Sequence, residues 1–154
     1  MSTIVEFART ELGLTLRPGQ VEILDEFEAG GFSEAVWQCG RRGGKSLIAD
    51  VVALYDATTR DLRQFLLPGE PRISGIIAQN LQKAQGHVAR CARLAKGSPR
   101  LRAMIVRDST DELVFSNGSV IQALPCSARS VRGDPWSLAI LDEVGHFITS
   151  EEGN

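Results

Sequence analysis

The chain has 154 residues, 43% hydrophobic and 23% charged, with 17 Lys and Arg against 19 Asp and Glu. That length holds one domain with a proper core, and the composition excludes collagen-like, mucin-like and wholly disordered chains. The longest apolar runs, such as Leu138-Ala-Ile-Leu141, are far too short to span a bilayer. Met1-Ser-Thr-Ile-Val-Glu-Phe has neither the basic start nor the apolar stretch of a secretory signal. Cys39, Cys91 and Cys126 are odd in number and scattered, which suits reduced thiols rather than a disulfide frame or a zinc site. The expectation is a soluble, cytosolic chain.

In chain order, Leu16-Arg-Pro-Gly19 reads as a turn, with Pro18 placed to open a helix. Val21, Leu24 and Phe27 recur at helical spacing, and Gly30-Gly31 ends the run. Ala35-Val-Trp-Gln38 predicts a short strand, closed by the glycines at 40, 43 and 44. Residues 46–59 predict a buried helix, apolar nearly all round. Leu67-Pro-Gly-Glu-Pro71 is a loop, Arg72-Ile-Ser-Gly-Ile-Ile-Ala78 a second strand, and Asn80 caps a helix reaching about Lys96. Glu112-Leu-Val-Phe-Ser116, Asn117-Gly118 and Ser119-Val-Ile-Gln-Ala-Leu124 form a hairpin signature, with Asn-Gly expected to take positive φ. A loop over 125–135 leads to the apolar strand Ser137-Leu-Ala-Ile-Leu141. Strands alternating with helices, apart from one antiparallel insertion, argue for an α/β fold with a mostly parallel sheet and flanking helices.

Charge is unevenly spread. Residues 1–34 hold seven acids and two bases, whereas 83–107 hold seven bases (Lys83, Arg90, Arg93, Lys96, Arg100, Arg102 and Arg107) and no acid. Such a stretch either docks a polyanion or is a solvated helix face. Its lack of aromatics argues against stacking on single strands.

Gly40-Arg-Arg-Gly-Gly-Lys-Ser46 lies between a predicted strand and a predicted helix, the setting a phosphate-binding loop requires. Gly40, Gly43 and Gly44 let backbone amides converge on phosphate oxygens, Lys45 reaches the β- and γ-phosphates, and Ser46 ligates Mg²⁺. The strict pattern wants a further glycine where Cys39 stands, so the motif is a variant. Either Arg41 or Arg42, but not both, is expected to contact the nucleotide. Downstream, Leu138-Ala-Ile-Leu-Asp-Glu143 ends an apolar strand in two carboxylates, where open α/β sheets bind their ligands. Asp142 suits the shell of Mg²⁺ and Glu143 suits polarising the attacking water. His146 has no visible partner and is read as structural or solvent-facing.

Together these pieces resemble the ATPase domain of the large terminase subunit, the DNA-packaging motor of tailed bacteriophages. The resemblance runs over residues 16–147 and rests on Leu16-Arg-Pro-Gly-Gln20, Cys39-Gly-Arg-Arg-Gly-Gly-Lys-Ser46, Ile76-Ile-Ala-Gln-Asn80, Ser116-Asn-Gly-Ser119 leading to Ala123-Leu-Pro125, Ser130-Val-Arg-Gly133 and Leu141-Asp-Glu143. It implies a P-loop NTPase of the RecA-like class, using ATP and Mg²⁺ at deviant Walker A and Walker B motifs. It further implies that Gln20 contacts adenine, Arg41 is the loop arginine, Asp142 the magnesium carboxylate and Glu143 the catalytic base. Arg132 matches an arginine thought to reach a neighbouring subunit's ATP; its alternative is an intramolecular pair with Asp134 or another acid. The implied partners are double-stranded DNA, further copies in a ring, a phage portal and a small terminase subunit, in the cytoplasm of a bacterial host and away from membranes.

The family continues with a further strand and an RNase H-like nuclease domain, whereas this chain ends at Asn154. In the related core the next strand lies between the phosphate-loop strand and the Asp-Glu strand. The expectation is therefore one partial ATPase domain over 1–154: an N-terminal fragment, a decayed prophage product or part of a split protein. The leading function is ATP-driven packaging of duplex DNA. The alternatives are a helicase-like, nucleic-acid-stimulated ATPase and a non-catalytic nucleotide-binding remnant.

Overall fold

A computed structural model describes residues 2–31, 33–40, 42–126 and 135–146, with the backbone alone at Arg63 and His146. Helix α1 (Ile4–Thr10) opens on a capping box in which Thr3 and Glu6 satisfy each other's backbone amides. Helix α2 (Pro18–Ala29) begins at Pro18 and stops at Gly30, as its sequence signals predict. Helix α3 (Lys45–Thr59) is buried from Ile48 to Thr58. Its β-branched residues lower helix propensity by a few tenths of a kcal/mol each. Burying a Val or Ile side chain returns about 1.5–3 kcal/mol, so packing decides the conformation.

Strand β1 (Arg72–Ala78) leads to α4 (Leu81–Gly97), whose N-cap Asn80 accepts the Lys83 amide. Helix α5 (Pro99–Met104) and strand β2 (Ile105–Asp108) follow; the sequence reading had no counterpart for either, nor for α1. Strands β3 (Glu112–Phe115) and β4 (Ser119–Pro125) make the expected hairpin, and β5 (Trp136–Leu141) comes last. No helix among the described residues is long and apolar enough to cross a membrane.

The five strands form one sheet in the order β2-β3-β4-β1-β5. β1 pairs in parallel with both β4 and β5, while β2–β3 and β3–β4 are antiparallel. The sheet is thus mixed rather than mostly parallel. Helices α3 and α4 share a core with Ile76, Ala78, Ile121 and Ala123, and α1 closes it with Phe7 set edge-on against Tyr55, centroids 5.5 Å apart.

Two local expectations change. Residues 35–38 are not a strand. A strand needs a neighbour's ladder, and among the described residues β1 alone pairs with β5, leaving this segment no partner. Val36 is 81% exposed, and Trp37 anchors the segment edge-on to Phe27 of α2 instead. In the hairpin only Gly118 takes positive φ. Asn117 works through its side chain, accepting from the Ser119 amide and hydroxyl and donating to the Ala57 carbonyl.

The far end of α3 is fastened to the sheet by polar contacts. Buried Asp56 accepts from the hydroxyls of Ser74 (2.9 Å) and Ser137 (2.6 Å), and Arg72 donates to the carbonyls of Asp56 and Arg60. Burial lowers the Arg72 pKa, and Asp56 opposes that shift. One element therefore runs from the glycine loop at its N-terminus to a buried polar lock at its C-terminus.

Candidate functional site

The loop before α3 is shaped by its glycines. The Gly43 amide donates to the Gly40 carbonyl at 3.0 Å, closing a tight turn. Gly44 caps α3 at φ +81°, a left-handed conformation that an L side chain resists. Arg42 holds positive φ without being glycine, and its carbonyl accepts from Arg17 at 3.2 Å. Gln20 braces the turn from α2: its Oε1 accepts the Arg17 amide at 2.9 Å and its Nε2 donates to the Gly43 carbonyl at 3.2 Å. A Cβ on Gly44 would stand 2.3 Å from that same Nε2. Gln20 is buried between helix and loop, with one amide hydrogen left for another acceptor.

The strand end meets this loop. The Asp142 amide extends the β5 ladder by donating to the Ile77 carbonyl, and Glu143 then turns out of the sheet at φ 57°. Lys45 Nζ lies 3.3 Å from Glu143 Oε1 and 3.8 Å from Asp142 Oδ1. Lys83, on the first turn of α4, places Nζ 2.7 Å from Glu143 Oε2 and also holds Gln79. Hydrogen bonds from Lys83 first, and Lys45 second, keep the Glu143 carboxyl below its ordinary range. Two ammonium groups, two carboxylates and the positive end of a 15-residue helix thus share one rim of the sheet.

Behind Asp142 stands a buried chain of groups. His87 is 2% exposed, with Nε2 3.1 Å from Asp142 Oδ2 and Nδ1 2.5 Å from Asp50 Oδ1. Asp50 is fully buried in α3, and its other oxygen accepts Arg90 Nε at 2.6 Å. Burial alone lowers the His87 pKa, but the Asp50 and Asp142 contacts outweigh it and the net direction is upward.

Of the residues singled out from sequence, Gln20, Gly40, Arg42, Gly43, Gly44, Lys45, Ser46, Asp142 and Glu143 fall in or beside this rim, Ser46 as the second residue of α3. Arg41 and Arg132, with the whole Ser130-Val-Arg-Gly133 element and Asp134, lie outside the described residues, as does the side chain of His146. Lys83, His87, Asp50 and Arg90 had no assigned role at the rim. The available signal was a charged Asp50 amid apolar α3 and a histidine on the apolar stripe Ala84, Val88, Cys91 and Ala95 of α4, since buried polar groups require partners. The basic stretch is largely neutralised within the chain: Lys83 pairs with Glu143, Arg90 with Asp50, Lys96 with Asp108, Arg100 with Glu11 and Arg107 with Glu112.

No protein-family model matches the sequence, and no curated protein matches it. Among solved structures the chain is similar to the crystal structure of the HK97 bacteriophage large terminase. The two agree with a TM-score of 0.74 at 18% sequence identity over 93% of this chain. This chain spans 31% of that terminase's length. The likeness is one of fold: a five-stranded α/β sheet with helices, arranged as in part of a phage large terminase.

Proposed function

We propose that the chain is the ATP-hydrolysing core of a DNA-packaging motor of the phage large terminase kind, built as a RecA-like P-loop ATPase. The observation that supports this most is the meeting of two separately read motifs. Lys45 and Glu143 stand 98 positions apart in sequence and 3.3 Å apart in space. The fold likeness to a large terminase supports the same reading.

In this reading the helix N-terminus and the amides of Gly40 and Gly44 bind the nucleotide's phosphates, Gly43 closes the turn that presents them, and Lys45 lies at the β- and γ-phosphates. The donor set fits Mg²⁺: a hydroxyl from Ser46 and a carboxylate from Asp142 are oxygen ligands of the kind this hard cation takes. Mg²⁺, when bound, supplies Lewis-acid neutralisation of charge on the phosphate oxygens. Glu143, held anionic by its two lysines, orients and polarises the attacking water. Gln20 braces the loop and offers its remaining amide hydrogen to the base. Arg41 neutralises charge from within the loop, Arg42 shapes the loop through its carbonyl held by Arg17, and Arg132 acts on the ATP of a neighbouring copy in a ring. Double-stranded DNA is the translocated substrate, with a portal and a small terminase subunit as assembly partners.

The test is a pair of variants assayed for binding and turnover separately. Lys45→Ala is expected to abolish Mg-ATP binding, while Glu143→Gln keeps binding and loses hydrolysis. Mg-ATP binding that Lys45→Ala leaves unchanged would sink the proposal, and equal hydrolysis by wild type and Glu143→Gln would reduce the chain to a binding module.

A further inference from the structure

Asp142 would be a poor metal carboxylate if its side chain rotated freely, because it projects from the end of an edge strand with no second strand beside it among the described residues. Something must set its rotamer, and the loop does not: Lys45 is 3.8 Å away and 42% exposed. His87 comes closer, at 3.1 Å, and is itself immobilised. Its ring lies on the buried face of α4, its second nitrogen is 2.5 Å from Asp50, and Asp50 is fixed in the middle of α3 by burial and by Arg90. Resting on the ATPase reading above, we infer that His87 is a positioning residue: it fixes one oxygen of Asp142 so that the other is presented toward the loop, and Asp50 with Arg90 fixes His87.

The arrangement is the outer-shell device of metal sites with the order of groups changed. There, a carboxylate or carbonyl orients a ligating histidine; here a histidine orients a ligating carboxylate and is itself oriented by a second carboxylate. Asp142 Oδ2 faces His87 while Oδ1 faces Lys45, so the two oxygens are already divided between a structural and a functional side. The chain of contacts ends at Arg90, 35% exposed on α4, so the metal carboxylate is tied through the core to the outer surface of the basic helix. Asp50, in turn, is a buried carboxylate whose charge is met by His87 and Arg90 together, which explains a charged residue amid the apolar run of α3.

Two substitutions separate positioning from mere support. Gln places an amide nitrogen near the position of His87 Nε2, and Asn places one near Nδ1. His87→Gln therefore keeps a donor toward Asp142, and His87→Asn keeps one toward Asp50 alone. The readout is Mn²⁺ affinity in the presence of saturating ATP, followed by electron paramagnetic resonance of free Mn²⁺, with metal-free ATP affinity and thermal midpoint measured alongside. His87→Asn is expected to weaken Mn²⁺ by about 10–100-fold, the usual cost of losing such an outer-shell partner. His87→Gln, which keeps the donor toward Asp142 but gives up the hold of Asp50, should lose clearly less than His87→Asn, and neither variant should change metal-free ATP affinity. Wild-type Mn²⁺ affinity in both variants, or equal losses in both, overturns the inference. Should neither variant fold, the imidazole nitrogen resonances of wild-type His87 decide: a shift at Nε2 on adding Mg-ATP supports positioning, and an unmoved Nε2 refutes it. A wild-type protein that binds no Mg-ATP at all defeats the ATPase reading instead, so the two failures are distinct.

Discussion

Replacing Gly75 with alanine offers the sharpest test of how the sheet holds the site. Gly75 is central in β1, opposite Gln122 of β4 on one flank and Ala139 of β5 on the other, so its backbone has nowhere to move. A Cβ there would stand 1.8, 2.3 and 2.8 Å from three carbons of the Trp136 ring. Carbon atoms pack at roughly 3.5–4.0 Å, so the indole must retreat by roughly 2 Å. Overpacking costs about 1–3 kcal/mol, and complete loss of an aromatic side chain's packing about 3–5 kcal/mol. Gly75→Ala is thus expected to cost about 3 kcal/mol. With a urea slope of about 1–3 kcal/mol per M, the denaturation midpoint falls by about 1–3 M. Emission from Trp136, isolated in a Trp37→Phe background, should shift at the same time. Combining Gly75→Ala with Trp136→Val should recover at least about 1 kcal/mol as coupling energy. A stability within about 0.5 kcal/mol of the parent, with unchanged emission, would refute the packing of β5 on β1.

Removing the cap of α4 with Asn80→Ala should cost about 1 kcal/mol, read as a urea midpoint shift at constant slope; no shift would mean that the Lys83 amide is satisfied elsewhere. Tyr55, the sole tyrosine, has its pKa pushed up to about 12, first by burial and then by its hydrogen bond to Glu28. Because the folded value lies above the ordinary 10.0, its contribution to stability is complete below pH 10 and is lost as pH rises through about 12. Phenolate absorbance in the folded protein should therefore appear with a midpoint near 12, and a midpoint at the ordinary value would contradict the buried contact. In the packaging reading, Arg93→Ala should lower the salt slope of DNA binding by about 0.9, because Arg93 has no acid partner among the described residues while Lys96 is paired with Asp108. An unchanged slope would return the basic stretch to a solvated face.

Much of this architecture could be read from local chemistry. Pro18, Asn80, the Asn-Gly turn and the apolar runs at 72–78 and 137–141 each mark an element through the nearest few residues, and those elements fall where expected. Residues 35–38 did not, because their apolar run has strand character but a strand also requires a neighbour, which no local pattern records. Helix α1, helix α5 and strand β2 were missed for a related reason: all are short and draw their stability from the elements they touch. At the site, the loop and the Asp-Glu pair stood out because each is a motif. Lys83 and His87 did not, since their contacts arise only when α4 folds back over β1 and β4 and brings its first turns to the carboxylates at the end of β5. The same folding cancels much of the basic stretch, whose acid partners Glu11, Asp50, Asp108, Glu112 and Glu143 lie outside the segment that looked uniformly positive.

The two rims of the sheet differ in a way that governs how the chain behaves at high concentration. β2 is a guarded border: Arg107 and Asp108 stand on it, tied to Glu112 and Lys96, and charges of this kind discourage another strand from docking. β5 has no such sentinels. It reads Trp-Ser-Leu-Ala-Ile-Leu, is flanked among the described residues by β1 alone, and ends in an exposed Leu141. An extended, uncharged border is a template for whatever strand arrives next, whether from a partner or from a misfolded copy. Among the described residues this border, rather than β2, is therefore where a further strand would join the sheet. A lysine at exposed Ala139 is expected to raise the concentration at which the protein aggregates, whereas added salt should do little, because the joining bonds are between backbone groups.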